Sequence, residues 1–214
     1  MNNIKAVIFD FDGTLTDSMW VWDRLLPDFL AKHNLVATDE MYRRVAFMTL
    51  VQSSEYLCDE FKTLDKTPEE VRAEWNDMVY HSYAEKVCLK SGAYEFLHRL
   101  KEKGIKTAIA TACAPELLET CLKSNGIDDM FDLIVYADEV GAGKENPKIF
   151  IECLRRLGCN ASEAVLFEDI LAALNSAKEI GLKTIIVEDS ASADDKNELM
   201  KRADSYILDF TELL

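Results

Sequence analysis

The chain has 214 residues, of which 49% are hydrophobic and 29% charged, so it can bury a core and is not disordered by composition. Its formal net charge of −15 argues against nucleic-acid and anionic-membrane partners, because like charges would repel them. No run approaches the roughly 20 apolar residues that a membrane-spanning helix needs. The six cysteines are scattered without a C-x-x-C pair, so we expect reduced thiols in a cytoplasmic protein rather than a zinc site or disulfide framework.

The first predicted element is a buried strand that ends in two acidic residues. The apolar run "IKAVI" leads into "FDFDGTLTDS", residues 9–18, which places Asp10 and Asp12 directly at the end of the strand. Carboxylates this close repel each other and lose hydration, at a cost of several kcal/mol per ion in a dry site unless a cation or donors compensate. The stretch therefore predicts a polar site at the end of the first strand.

The next segment, residues 16–89, has helical rather than strand periodicity, and we predict no strand within it. A helix start is indicated at "TPEE", where Thr67 can cap the helix, Pro68 fits its first turn and Glu70 can close a capping box. We therefore predict an all-helical cap domain at 16–89, inserted into a catalytic α/β core made of residues 1–15 and 90–214.

After residue 90 the chain repeats an amphipathic helix, a glycine and a short apolar strand. The helices are predicted to end at Gly104, Gly126, Gly158 and Gly181. Further strands are predicted at 105–110, 131–137, 164–167 and 182–187. With the first strand, this pattern predicts an α/β fold with a Rossmann-like parallel sheet covered by helices on both faces.

Polar residues follow four of the five predicted strands, either directly or in the loop beyond the strand. Ligands bind beyond the carboxyl ends of the strands in open parallel sheets, so we expect these residues to share one edge. They are Asp10, Asp12, Thr111, Lys144, Glu168 and Asp169, with Ala112 and Cys113 directly after Thr111.

This set of side chains is typical of phosphoryl chemistry. Carboxylates from two strands suit a hard cation such as Mg²⁺. A cation, a lysine and a hydroxyl together suit a phosphoryl group, whose charge must be neutralised before an anionic nucleophile approaches. One aspartate can attack and form an acyl phosphate, while a second carboxylate protonates the leaving alcohol and then activates water.

The same residues carry a family resemblance. "DFDGTLTDS" resembles the nucleophile motif of the haloacid-dehalogenase-like phosphatases, and the likeness covers nearly the whole chain. The helical insertion resembles the cap of the subgroup that contains β-phosphoglucomutase and many small-molecule phosphatases. The resemblance implies Asp10 as nucleophile and Asp12 as general acid/base.

The resemblance further implies two sets of ligands. Thr111, Ala112 and Lys144 would bind the substrate phosphate. The Mg²⁺ ligands would be Asp10, Glu168 and Asp169 with the backbone carbonyl of Asp12, and a direct or a water-mediated role stays open for Glu168. The expected activity is Mg²⁺-dependent hydrolysis of a small phosphate monoester, a sugar phosphate or a nucleotide-like compound, by a monomer.

Two departures from the family pattern keep alternatives open. Ile170 and Ala173 stand where family members commonly have a serine and a glycine, which leaves a catalytically degenerate member as an alternative. Mutase-like members carry a cap histidine soon after the first motif, and residues 19–23 contain none. Its absence favours hydrolysis over a phosphosugar mutase.

Overall fold

A computed structural model describes residues 4–45, 48 and 50–214 of the chain. The strands in chain order are β1 Ala6–Phe9, β2 Thr16–Asp17, β3 Cys88–Leu89, β4 Lys106–Thr111, β5 Leu133–Tyr136, β6 Ala164–Glu168, β7 Lys183–Val187 and β8 Ser205–Ile207. Within the described residues, six of them form a parallel sheet in the order β5-β4-β1-β6-β7-β8. The predicted α/β fold with a parallel sheet is confirmed.

Helices connect these strands. They are α1 Met19–Lys32, α2 Asp39–Val45, α3 Leu50–Glu60, α4 Pro68–Glu85, α5 Ala93–Glu102, α6 Pro115–Ser124, α7 Ala137–Val140, α8 Lys148–Leu157, α9 Leu171–Glu179 and α10 Lys196–Arg202. The glycines predicted to end helices all have left-handed backbone angles, with φ from +65° to +76°. No helix in the described part of the chain is both long and apolar enough to cross a membrane.

β1 lies in the middle of the sheet and is buried on both faces. Ala6 and Ile8 belong to a core cluster that includes side chains of α8 and α9. Phe9 stacks on Phe167 with ring centroids 5.1 Å apart. Phe96 packs edge-on against Phe9, with ring centroids 6.3 Å apart. Burial on both faces explains why this strand reads as a continuous apolar run rather than an alternating one.

The strand order reverses around β1. Phe9 lies opposite Ile109 of β4 on one side and opposite Phe167 of β6 on the other. The chain runs outward through β4 and β5 and then crosses to β6 on the far side of β1. Such a reversal opens a crevice at the carboxyl ends of the strands, where α/β proteins bind ligands.

The chain contacts divide into two compact units, Met1–Met19 with Val87–Leu214 and, separately, Trp20–Lys86. The proposed domain ranges 1–15 and 16–89 include residues 1–3, 46, 47 and 49, which lie outside the described residues. In the second unit, the capping box at Thr67 is confirmed. Thr67 Oγ1 accepts the Glu70 N–H at 3.2 Å, and Glu70 Oε2 accepts the Thr67 N–H at 2.8 Å.

Three short strands were not predicted. β2 and β3 pair antiparallel at the two ends of the segment for which no strand was predicted, with Thr16 opposite Leu89, so that prediction was wrong. β8 adds an edge strand, with Ser205 opposite Ile185. Strands of two or three residues are too short for an alternation of polar and apolar side chains to be recognised.

Candidate active site

Asp10 is held in place by the central ladder of the sheet. Its N–H donates to the Phe167 carbonyl at 2.9 Å, and the residue is 4% exposed. The chain then turns at Gly13, where φ is +81°. A Cβ at this position would lie 2.6 Å from Asp169 Oδ2, so only glycine allows the Asp169 carboxylate to approach the turn.

Asp10, Glu168 and Asp169 form a buried acidic cluster. Each offers a carboxylate oxygen within 4.8 Å of the other two. Glu168 is the last residue of β6 and Asp169 follows it, so two neighbouring strands supply the group, as the sequence predicted. All three residues are buried, which makes their like charges costly to hold together.

Lys144 lies against this acidic cluster. Its Nζ forms an ion pair with Asp10 Oδ1 and another, at 2.7 Å, with Glu168 Oε1. Burial alone would lower the pKa of Lys144, but the charges of Asp10 and Glu168 outweigh it and raise this pKa above its usual value. Lys144 therefore carries its positive charge at neutral pH. The hydroxyl of Ser176, from α9, donates to the Lys144 carbonyl and anchors the loop.

Glu168 is oriented by the backbone that follows it. Its Oε2 accepts the N–H groups of Asp169 at 2.8 Å and of Ile170 at 3.0 Å. Burial raises the pKa of Glu168 above its usual value, against the opposing charge of Lys144. Since Ile170 contributes through its backbone, this contact does not require the serine that family members commonly have there.

Thr14 joins the turn to the acidic cluster. Its hydroxyl donates to Asp169 Oδ1 at 2.9 Å and lies 3.4 Å from Asp10 Oδ2. Burial, followed by the charges of Glu168 and Asp10, raises the pKa of Asp169 to about 9. Without a bound cation, Asp169 therefore keeps its proton at neutral pH, because Lys144 cannot balance three ionised carboxylates.

The side chain of Asp12 is placed by other groups. Ser18, which is fully buried, donates its hydroxyl to Asp12 Oδ1 at 2.7 Å. Thr16 Oγ1 in turn lies 3.2 Å from Ser18 Oγ. The Asp12 side chain is not a member of the acidic cluster, and a metal contact through its backbone carbonyl stays a prediction.

Thr111 and Ala112 lie at the end of β4, which neighbours β1. The Thr111 hydroxyl accepts the N–H of Cys113 at 2.9 Å, which bends the loop after the strand. A hydroxyl that accepts one hydrogen bond still has a proton to donate. Ala112 is exposed and lines a cavity of about 250 Å³. The roles of both residues in phosphate binding stay predictions.

The comparisons with known proteins identify the family. The model of the family described as haloacid dehalogenase-like hydrolases matches residues 7–187. The chain belongs to this family. The resemblance noted in the sequence is thereby confirmed, and with it the prediction that the chain is a hydrolase.

Relatives of this haloacid dehalogenase-like hydrolase align over most of both chains. It is 26% identical to a phosphorylated carbohydrates phosphatase of Thermotoga maritima, over 85% of this chain and 84% of the relative. It is 30% identical to the pyrophosphatase PpaX of Halalkalibacterium halodurans, over 86% and 83%. The crystal structure of CbbY from Rhodobacter sphaeroides in complex with phosphate superposes with a TM-score of 0.75 and 25% identity, covering 98% and 96% of the two chains.

The donor set of this hydrolase fits a divalent cation. Carboxylate oxygens are the ligands that Mg²⁺ prefers, and Asp10, Glu168 and Asp169 bring theirs together in a buried place. Lys144 supplies less positive charge than these carboxylates carry when ionised. A divalent ion at the acidic cluster would balance the remainder.

The sequence alone indicated no catalytic role for Thr14, Ser18 or Ser176. The letters "TLTDS" directly after two acidic residues carried a signal for Thr14 and Ser18, because hydroxyl donors are what buried carboxylates need. Ser176 carried none, since its bond to the Lys144 carbonyl depends on how α9 packs.

Proposed function

We propose that this hydrolase is a Mg²⁺-dependent phosphatase that cleaves a small phosphate monoester through an aspartyl-phosphate on Asp10. The observation that carries the proposal is the buried contact of Lys144 with Asp10 and Glu168, beside Asp169. An ammonium group held in this way can receive an anionic substrate next to a carboxylate nucleophile. The phosphatases among the relatives support the same reaction class.

The substrate phosphate is bound by Lys144, Thr111 and Ala112. The charged Lys144 offers donors to the phosphoryl oxygens, and the Thr111 hydroxyl and the backbone N–H of Ala112 offer neutral ones. These groups come from different loops at one edge of the sheet. Together they hold the phosphorus atom within reach of Asp10 and reduce the entropy cost of the encounter.

Asp10 acts as the nucleophile in the first step. One carboxylate oxygen attacks phosphorus, the bond from phosphorus to the alcohol oxygen breaks, and an acyl phosphate forms on Asp10. Thr14 and Lys144 restrict the orientation of this carboxylate. The fixed orientation favours a single line of attack.

Asp12 acts as the proton carrier in both steps. It enters the first step protonated and gives its proton to the departing alcohol oxygen. As a carboxylate it then takes a proton from the water that attacks the acyl phosphate, which releases inorganic phosphate and restores Asp10. The Ser18 hydroxyl holds the Asp12 carboxyl for these transfers.

The acidic cluster would hold Mg²⁺. Asp10, Glu168 and Asp169 would contribute side-chain oxygens, and Asp12 its backbone carbonyl. When bound, the ion supplies positive charge that offsets the anionic oxygens of the substrate.

We propose the substrate class from the substrates that the names of the relatives state. A phosphatase of phosphorylated carbohydrates and a pyrophosphatase are both similar to this chain. We therefore propose a sugar phosphate or a comparable small monoester as substrate for a cytoplasmic monomer.

The described histidines of the insertion include His33, whose Nε2 bonds to Glu74, so its imidazole is already engaged within the helical unit. The lack of a histidine at residues 19–23 favours hydrolysis over the mutase alternative.

The test is release of inorganic phosphate from a panel of sugar phosphates, nucleotides and pyrophosphate, with and without Mg²⁺. Hydrolysis of a monoester that requires Mg²⁺ is expected. Conversion of a sugar phosphate into its isomer without phosphate release would instead establish the mutase. No release from any member of the panel would favour a catalytically degenerate protein.

A further inference from the structure

A buried hydroxyl on α9 reaches the loop that carries Lys144. Ser176 is 1% exposed and lies on the helix that contributes Ala173 and Ala177 to the core cluster. Its Oγ lies 2.5 Å from the Lys144 carbonyl oxygen and 3.1 Å from that of Ala173. A hydroxyl has one proton to donate, and the shorter contact is the one to the loop. The bond therefore joins α9 to the backbone of Lys144.

Other hydrogen bonds of this loop are local. The Asn146 N–H donates to the Gly143 carbonyl at 3.1 Å, and Asn146 Oδ1 accepts the Lys148 N–H at 3.1 Å. These bonds join the loop to itself and to the start of α8, which directly follows it. For the Lys144 carbonyl, the described part of the chain shows one hydrogen-bond donor, the Ser176 hydroxyl. Ser176 therefore links the loop to an element that is distant in sequence.

The helix that carries Ser176 continues from the strand that carries Glu168. β6 ends at Glu168, and α9 begins at Leu171. The Nζ atom of Lys144 forms ion pairs with Glu168 and with Asp10. One connected segment, from β6 to α9, thus contacts Lys144 both at its ammonium group and at its carbonyl.

These two contacts restrict a side chain that is flexible by itself. A lysine has several rotatable bonds, and ordering them costs conformational entropy when a ligand binds. The contacts of the ammonium group rearrange when it receives a phosphoryl oxygen, whereas the bond at the carbonyl persists. The backbone of Lys144 is then held by Ser176 while its ammonium group exchanges partners.

We propose that Ser176 is a positioning residue, which holds the backbone of Lys144 so that the ammonium group lies where the substrate phosphate binds. The inference rests on the proposed phosphatase function, because Lys144 receives a substrate phosphate only in that reaction. Loss of the Ser176 hydroxyl would keep the ammonium group but widen the range of its positions. Binding of phosphate and of the transition state would both weaken.

Thr107 provides a matched control. Its Oγ1 donates to the Met130 carbonyl at 2.5 Å, and the residue is 2% exposed. It lies near the start of β4, at the end of the strand opposite Thr111. Thr107→Val therefore removes the same kind of buried bond, from a hydroxyl to a backbone carbonyl, at the edge of the sheet away from the candidate site.

The first experiment measures kcat/KM for p-nitrophenyl phosphate with Mg²⁺, and inhibition by inorganic phosphate. Ser176→Ala is expected to lower kcat/KM by about threefold to tenfold and to weaken inhibition by a similar factor. Thr107→Val is expected to change either quantity by less than about twofold, although both variants should unfold at a lower temperature. An unchanged kcat/KM in Ser176→Ala, or an equal loss in both variants, would overturn the proposal.

A double-mutant cycle separates positioning from a general structural effect. In Lys144→Met the ammonium group is absent, so adding Ser176→Ala is expected to lower the residual kcat/KM by less than about twofold. A structural role would give the full factor in this background as well. The full factor would therefore overturn the proposal.

Nuclear magnetic resonance tests the contact without turnover, and decides the matter if Lys144→Met does not fold. In protein that contains isotope-labelled lysine, the Cε signal of Lys144 is assigned by its loss in Lys144→Arg. This signal is expected to move in Ser176→Ala and to stay in Thr107→Val. A signal that stays in Ser176→Ala would overturn the inference even if the protein is a phosphatase. A signal that moves, in a protein that releases phosphate from no monoester, would instead contradict the proposed function.

Discussion

Two buried or half-buried carboxylates in this protein lie in opposite electrostatic surroundings. In the helical unit, Glu74 is bonded to Lys32 at 2.7 Å, His33 at 3.0 Å and Lys66 at 3.2 Å. In the α/β unit, Asp169 lies beside Glu168 and Asp10, which share the positive charge of Lys144.

The pKa values of the two groups move in opposite directions. Burial alone would raise the pKa of Glu74, but the bonds to Lys32, Lys66 and His33 outweigh it and lower the value to about 2. Burial and the neighbouring carboxylates raise the pKa of Asp169 to about 9. Glu74 is thus neutralised by cations of its own unit, whereas the acidic cluster could bind a cation in exchange for the proton of Asp169. The comparison distinguishes a carboxylate that its own unit neutralises from a candidate binding site.

The largest effect is expected from Asp10→Asn. Without the nucleophile, turnover should fall by a factor on the order of 10⁴ or more. The thermal unfolding temperature should stay equal or rise, because one like charge leaves a buried cluster. Phosphate release and calorimetry measure the two properties, with the exposed Asp128→Asn as control. Near-normal turnover would refute the role of Asp10.

Asp169→Asn tests the acidic cluster directly, because it removes one of the three carboxylates grouped beside Lys144. Affinity for Mg²⁺ should fall by at least about 100-fold, and turnover with it. In metal-free protein the variant should be as stable as the parent or more so. Titration calorimetry measures the affinity for Mg²⁺. Thermal unfolding in the presence of a chelator measures the stability of the metal-free protein. A large loss of stability in the chelator would mean that the acidic cluster is structural.

A smaller effect is expected from Ser18→Ala, which removes the 2.7 Å bond to Asp12. A hydrogen bond to a charged group is worth about 1.5–3 kcal/mol, so kcat for an alkyl phosphate should fall about tenfold to 100-fold. Steady-state kinetics of Ser18→Ala, with Ser124→Ala as the control, measure this change in kcat. An unchanged kcat would remove Ser18 from the proton-transfer machinery.

The smallest effect on activity is expected from Glu74→Gln, which should leave turnover unchanged. It should cost about 1 kcal/mol of stability, because the partly exposed ion pairs with Lys32 and Lys66 are lost and the hydrogen bond with His33 is weakened. Denaturant unfolding of parent and variant at neutral pH gives the difference. A variant with parental stability would show that these ion pairs contribute nothing.

The same pair of proteins gives a pH test. The pKa of Glu74 is lower in the folded state, at about 2, than in an unfolded chain, at about 4.3, so its contribution to stability is complete above about pH 5. It is lost as the pH falls from about 5 to about 2. The stability difference between parent and Glu74→Gln should therefore shrink across this window. A difference that is constant with pH would contradict the assignment.

Strong local patterns made the parallel sheet and the acidic residues of the candidate site predictable from the sequence. The acidic pair after a buried strand, Asp10 and Asp12, and the pair Glu168 and Asp169 signalled a shared edge, because ends of parallel strands meet there. The ion pair between Lys144 and Glu168 could not be predicted, since it depends on how the loop before α8 lies over β6.

The central claim is that Asp10 becomes phosphorylated, and the most direct test is to trap that state. The Asp12→Asn variant should form the acyl phosphate from p-nitrophenyl phosphate and hydrolyse it slowly. Rapid acid quenching and peptide mass spectrometry should then find one phosphoryl group on the peptide that contains Asp10, and none when Asp10→Asn is added. Phosphate release by the parent protein with no such label, or with the label on another residue, would contradict the account.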